Sequence, residues 1–167
     1  MKKLLSSLAL TGMLVAGACA QDTWPVDVGF IDWIHRPSDV AGLRIGIPYG
    51  RNDQVTGIDI GLYGYSDYAW AIQINLLASV VRDEMGGLQL GCFNKAGHLT
   101  GMQAGLWNTA ATAEGFQIGL LNLADQMDGF QIGLVNRTEL MRGYQIGLCN
   151  VIRESPVPFM VLVNFSF

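Results

Sequence analysis

From residue 87 the chain alternates apolar and polar positions in an eight-residue unit that returns every 14 residues. The clearest copies are Gly87-Leu88-Gln89-Leu90-Gly91-Cys92-Phe93-Asn94 and Gly101-Met102-Gln103-Ala104-Gly105-Leu106-Trp107-Asn108. Three more follow: Gly115-Phe116-Gln117-Ile118-Gly119-Leu120-Leu121-Asn122, Gly129-Phe130-Gln131-Ile132-Gly133-Leu134-Val135-Asn136 and Gly143-Tyr144-Gln145-Ile146-Gly147-Leu148-Cys149-Asn150. Weaker copies begin at Gly42, Gly57 and Ala71, and Asn164 keeps the beat by falling 14 residues after Asn150. In all eight copies the second, fourth and sixth residues are apolar, while the third and fifth are Gln, Gly, Asn, Asp59 or Arg44. A period of two is that of a β-strand with two unlike faces. A helix would hold two Gly in every strong unit, each costing about 1 kcal/mol, and would not gather the apolar residues into one stripe. The residues between units, such as Leu123-Ala124-Asp125-Gln126-Met127-Asp128, read as turns. Val26–Ile34 reads as one more strand, followed by a turn around Arg36-Pro37-Ser38-Asp39.

The polar face has an unusual make-up. A strand face in water ordinarily carries Thr, Lys, Glu or Arg, whereas the strong copies present only Gln and Gly there. Gly in a strand marks close approach of other backbone. The Gln/Gly face is therefore expected to be confined, with Gln bonded to equivalent side chains or to trapped water. Three all-β architectures satisfy this: an up-and-down antiparallel barrel of about ten strands with its apolar face in lipid, a β-solenoid of stacked 14-residue coils with an apolar core and Gln or Asn ladders, and a two-sheet sandwich.

The chain end favours the barrel. Phe159, Val161, Val163, Phe165 and Phe167 alternate along the last nine residues and finish on an aromatic. This resembles the terminal strand of bacterial outer-membrane barrels, and implies membrane lipid and the barrel-insertion machinery as partners. One strand from Val26–Ile34, eight from the copies and one at the end make ten, an even number such as these barrels use. Against it, the connections are uniformly short. An eight-residue strand tilted by ~40° spans only about 20 Å of a ~25 Å apolar band. The terminal aromatics also fall on the phase that carries Gln in the earlier copies, which a β-bulge near Pro156–Pro158 would have to correct.

Composition adds a compartment. Lys2 and Lys3, the apolar run from Leu4 to Ala16 and Ala18-Cys19-Ala20 read as a secretory signal cleaved after Ala20, leaving residues 21–167 as a single repeat domain. The alternative is cleavage before Cys19 with lipidation of that cysteine. Losing the two lysines moves the net charge from −4 to −6. Charged residues make up only 14% of the chain, so the surface is either small, uncharged, or in contact with something other than water. The acidic balance, with a pI near 4.9, argues against nucleic acid. Cys92 and Cys149 sit at different places in their copies and read as small buried apolar residues rather than a disulfide.

The Gly-φ-Gln-φ-Gly-Leu-φ-Asn unit (φ apolar), with an ending like Val163-Asn164-Phe165-Ser166-Phe167, resembles the bacterial surface-repeat family first named from spirochaetal surface proteins. The resemblance covers about residues 42 to 167. It implies a cell-surface or outer-membrane location, and carries no catalytic residue, cofactor or established ligand. The early copies depart from it: Arg44 and Asp59 stand where Gln is usual, and Tyr49, Gly64 and Ala78 where Asn closes the unit.

No catalytic constellation emerges. His35 and His98 lack zinc-ligand spacing, and His98 reads as a solvated turn residue. No glycine-rich phosphate loop opens a helix, no Ser has a hydrolase setting, and Asp32, Asp39, Asp53, Asp59 and Asp67 form no calcium loop. Asp83 and Glu84 are adjacent, hence on opposite faces of a strand. Trp24, Trp33, Trp70 and Trp107, with Tyr49, Tyr63, Tyr65, Tyr68 and Tyr144, suit either an interfacial aromatic belt or strand packing. The sequence thus predicts a non-enzymatic, exported β-repeat protein with a structural, adhesive or narrow-pore role. The alternative is a soluble or lipid-anchored surface solenoid binding a partner.

Overall fold

A computed structural model describes residues 23–30 and 39–167. Residues 1–20, expected to be a secretory signal, Cys19 included, and residues 36–38 of the expected turn lie outside the described residues. The protein is all-β: strands β1 (Thr23–Phe30), β2 (Asp39–Ile152) and β3 (Phe159–Ser166) form one sheet in the order β1-β2-β3.

The 114 residues of β2 cannot be one straight strand. At about 3.3 Å per residue it would be roughly 375 Å long, yet Gln103 Nε2 lies 2.8 Å from Gln89 Oε1. The run winds back on itself, and equivalent residues of successive copies meet. Gln117, Gln131 and Gln145 each donate to the Gln 14 residues earlier, at 2.7–2.9 Å. Asn94, Asn108, Asn122 and Asn136 each donate to the Asn 14 residues later, at 2.8–2.9 Å. Phe130 stacks on Phe116 and Tyr144 on Phe130 at the same interval.

A constant offset at every position of the unit is translation, the mark of parallel neighbours. Antiparallel neighbours would keep the sum of the two residue numbers constant instead. The up-and-down barrel of ten antiparallel strands is therefore not the arrangement found. Identical residues at identical positions stack best by translation, and that register overrides the short-connection logic of hairpins.

Burial marks the bends. Gln117, Asn122, Ala124 and Met127 face inward, while the neighbours Leu120–Leu121 and Asp125–Gln126 break the alternation by both facing away from the core. Residues 123–128, expected to be a turn, are thus a second wall of the coil within the same strand run. That wall contributes a small apolar column that includes Ala96, Leu99, Ala110, Ala113, Ala124, Met127, Met141 and Ile152. The first wall contributes amides.

The early copies, doubtful by sequence, share the amide column. Arg44 Nε and Nη2 contact Asp59 at 2.7 and 2.5 Å, and Gln73 donates to Asp59 at 3.2 Å before passing the column to Gln89. An ion pair thus replaces two amide rungs. β1 adds a parallel rung in which Asp27 faces Arg44, Val26 faces Leu43 and Val28 faces Ile45. It ends at Phe30, and residues 31–34 of the expected strand are outside the described residues.

At the other end β3 runs antiparallel to β2. Reversal resolves the phase conflict without a bulge at Pro156–Pro158: Phe165 faces Tyr144, Val163 faces Ile146, and Asn164 faces Gln145. The register shift falls between Gly147 and Asn150. Asn164 is buried in line with the Gln column, so its beat with Asn150 does not reflect stacking of like on like.

Candidate functional site

Two columns of glycine let the rungs close. Gly129 has φ +133°, and a Cβ there would overlap the Gly115 carbonyl oxygen. Only glycine adopts that backbone region without strain. At the fifth position, a Cβ on Gly133 would overlap the Gly119 carbonyl oxygen and press on the Asn122 and Asn136 carboxamides. The predicted positions thus come together, the Gln and Asn side chains buried inside and the Gly backbones set against the preceding coil.

That interior inverts the usual partition. Gln117, Gln131 and Gln145 are 0% exposed, whereas Ile118, Ile132 and Ile146 are 36%, 37% and 44% exposed. Confinement of the Gln/Gly face is as the sequence predicts, and an outward apolar face is the orientation expected for the barrel, whereas the core-facing apolar phase of the solenoid and sandwich readings is not found. A coil this tight fills its first wall with flat, mutually bonded amides. The absence of Thr, Lys and Glu from the Gln/Gly phase was the available signal.

The result is a broad apolar sheet face. Its columns run Phe116–Phe130–Tyr144, Ile118–Ile132–Ile146 and Leu120–Leu134–Leu148, and none of these residues is buried. Val26 and Val28 extend the face at one end, Val163 and Phe165 at the other. A shallow groove lined by Ile118, Leu120, Ile132, Leu134, Ile146 and Leu148 runs over the Gly119–Gly133–Gly147 backbone. One margin carries aromatics, with Tyr49 stacked on Tyr63 at 5.2 Å and Phe93 tilted against Trp107 at 6.0 Å. Burial raises the Tyr49 phenol above its ordinary pKa, against the opposing pull of Arg51.

The opposite wall is polar. Arg153 pairs with Glu139 at 2.8 Å, one coil away, beside exposed Arg82, Lys95, Asp125 and Arg137. Cys92 is half-buried on the apolar face and Cys149 exposed at its margin, both as free thiols, so neither is the buried residue expected. His98 is half-buried within β2 rather than in a turn. Trp24, Trp70, Trp107 and Tyr68 are exposed; Trp33 and His35 are outside the described residues. Among the described residues no three His, Cys, Asp or Glu gather into a metal-holding group.

Comparison with protein-family models, curated proteins and solved structures gave no match. The outward position of the apolar face changes what Ile118→Asp with Ile132→Asp would do. Read as core or lipid-buried positions, these substitutions should abolish folding or assembly. Because both side chains point outward, the fold is expected to survive them and the face to be lost.

Proposed function

We propose that the chain is a non-enzymatic β-solenoid of the bacterial cell envelope, acting as a structural or adhesive platform through its apolar sheet face. The supporting observation is the inversion itself: amide columns hold the coil together from inside, freeing rows of Ile, Leu and Phe to face outward. Monomeric soluble proteins rarely show contiguous apolar patches above a few hundred Å². A face this regular is a place to bind. The pore variant loses support, since bonded side chains occupy the coil interior. Export rests on the signal-like residues 1–20, and a surface location on the resemblance of the repeat unit.

Cell fractionation with external protease, combined with binding of an environment-sensitive dye to the purified chain, tests this reading. Recovery from the envelope is expected, with dye fluorescence at least fivefold weaker in Ile118→Lys/Ile132→Lys. A cytoplasmic chain, or equal dye binding by both proteins, would refute it.

A further inference from the structure

We infer that the apolar face seats a second copy of this chain, the two stacking face to face as a two-layer sandwich. The inference rests on the reading above, that this face is a docking surface, and names its occupant.

Size is the first argument. One rung from β1, eight from the copies and one from β3 make ten. At about 4.8 Å per rung and about 6.6 Å between same-face columns, the face covers on the order of 800 Å². That exceeds the largest patch of a typical monomer, about 300–600 Å². It equals the share of about 800 Å² that each partner gives to a standard stable interface.

Shape is the second. Ridges of Ile and Leu flank the groove over Gly119, Gly133 and Gly147, and each column repeats at every rung. Such a corrugated surface complements itself: the ridge of one copy fills the groove of the other, with sheets about 10 Å apart as in β-sandwiches. A two-fold axis through the face satisfies both copies with one patch. A fluid lipid surface would use the oiliness but not the periodicity.

Charge is the third. Residues 21–167, the exported chain, carry −6, and exposed Glu114, Asp128 and Arg142 follow one another at the 14-residue interval along one margin of the face. Anionic lipid is recruited by Lys and Arg clusters, whereas the charge-free Ile and Leu columns bring two identical acidic chains together without opposing charges at the centre.

The test is sedimentation equilibrium of the purified exported chain without detergent, alongside flotation with phosphatidylcholine vesicles. A mass twice that of one chain is expected. Ile118→Lys/Ile132→Lys should weaken self-association at least a hundredfold while keeping the β-sheet circular dichroism of the parent. A parent dimer that persists in this variant, with dichroism intact, overturns the placement on this face. A parent monomer that floats with vesicles overturns the second copy but keeps the docking surface. A parent monomer that neither pairs nor floats overturns both readings. Should the Lys variant lose its dichroism, Leu134→Gln, uncharged and also outward, takes its place under the same criteria.

Discussion

Replacing Gln131 by Leu interrupts the amide column one rung from its end while nearly keeping side-chain volume. Three bonds vanish: Gln131 Nε2 to Gln117 Oε1 at 2.7 Å, Gln145 Nε2 to Gln131 Oε1 at 2.8 Å, and Thr138 Oγ1 to Gln131 Oε1 at 2.8 Å. Each is worth about 1 kcal/mol net, and each buried group left without a partner costs about 1–3 kcal/mol. Only Gln117 Oε1 is left without a partner, because the Thr138 hydroxyl still accepts from Gln145 Nε2 at 2.8 Å, so the sum is roughly 4–6 kcal/mol. Burying leucine carbons offsets about 2 kcal/mol, leaving a net loss of about 2–4 kcal/mol. Gln145→Leu is the matched control. Gln145 Oε1 already lacks a partner, and Gln131 and Thr138 remain bonded to each other. Its expected loss is about 1 kcal/mol. Urea unfolding followed by circular dichroism measures both. If Gln131→Leu proves no less stable than Gln145→Leu, the column is not what holds the coils in register.

Two further substitutions probe other parts of the interior. Gly129→Ala should cost at least about 3 kcal/mol, combining a strained φ with a Cβ against the Gly115 carbonyl; a midpoint in urea within error of the parent contradicts this. Asp59→Ala strands the buried Arg44 guanidinium and should cost about 3–5 kcal/mol. Glu139→Ala, which breaks the exposed pair with Arg153, should stay within about 1 kcal/mol, and comparable losses in thermal melts of the two variants would refute the contrast.

Much of the fold was legible because the unit is so regular. Gln103 following Gln89, and Asn108 following Asn94, at one fixed interval is what parallel stacking looks like in sequence. The alternation from Phe116 to Leu120 gave the strand and its two faces. Which face turns inward was harder to read, since a period of two has two phases and hydropathy favours burying Ile118 over Gln117. The terminal aromatics misled for a related reason. Phe165 falls on the Gln phase when counted forward from Gln145, and only the reversal of β3 brings it opposite Tyr144. Arg44 and Asp59 looked like departures from the unit, because an ion pair across adjacent rungs replaces amides without repeating either residue.

The two amide ladders point in opposite senses: Gln side chains donate toward the start of the chain, Asn side chains toward its end. Each ladder therefore strands one acceptor at a terminus, Gln145 Oε1 for one and Asn94 Oδ1 for the other, whatever the number of rungs between. An in-frame duplication of 14 residues would add bonds and no new orphan. Adding or removing one coil thus changes how many rungs the ladders have while leaving the count of their unpaired ends the same.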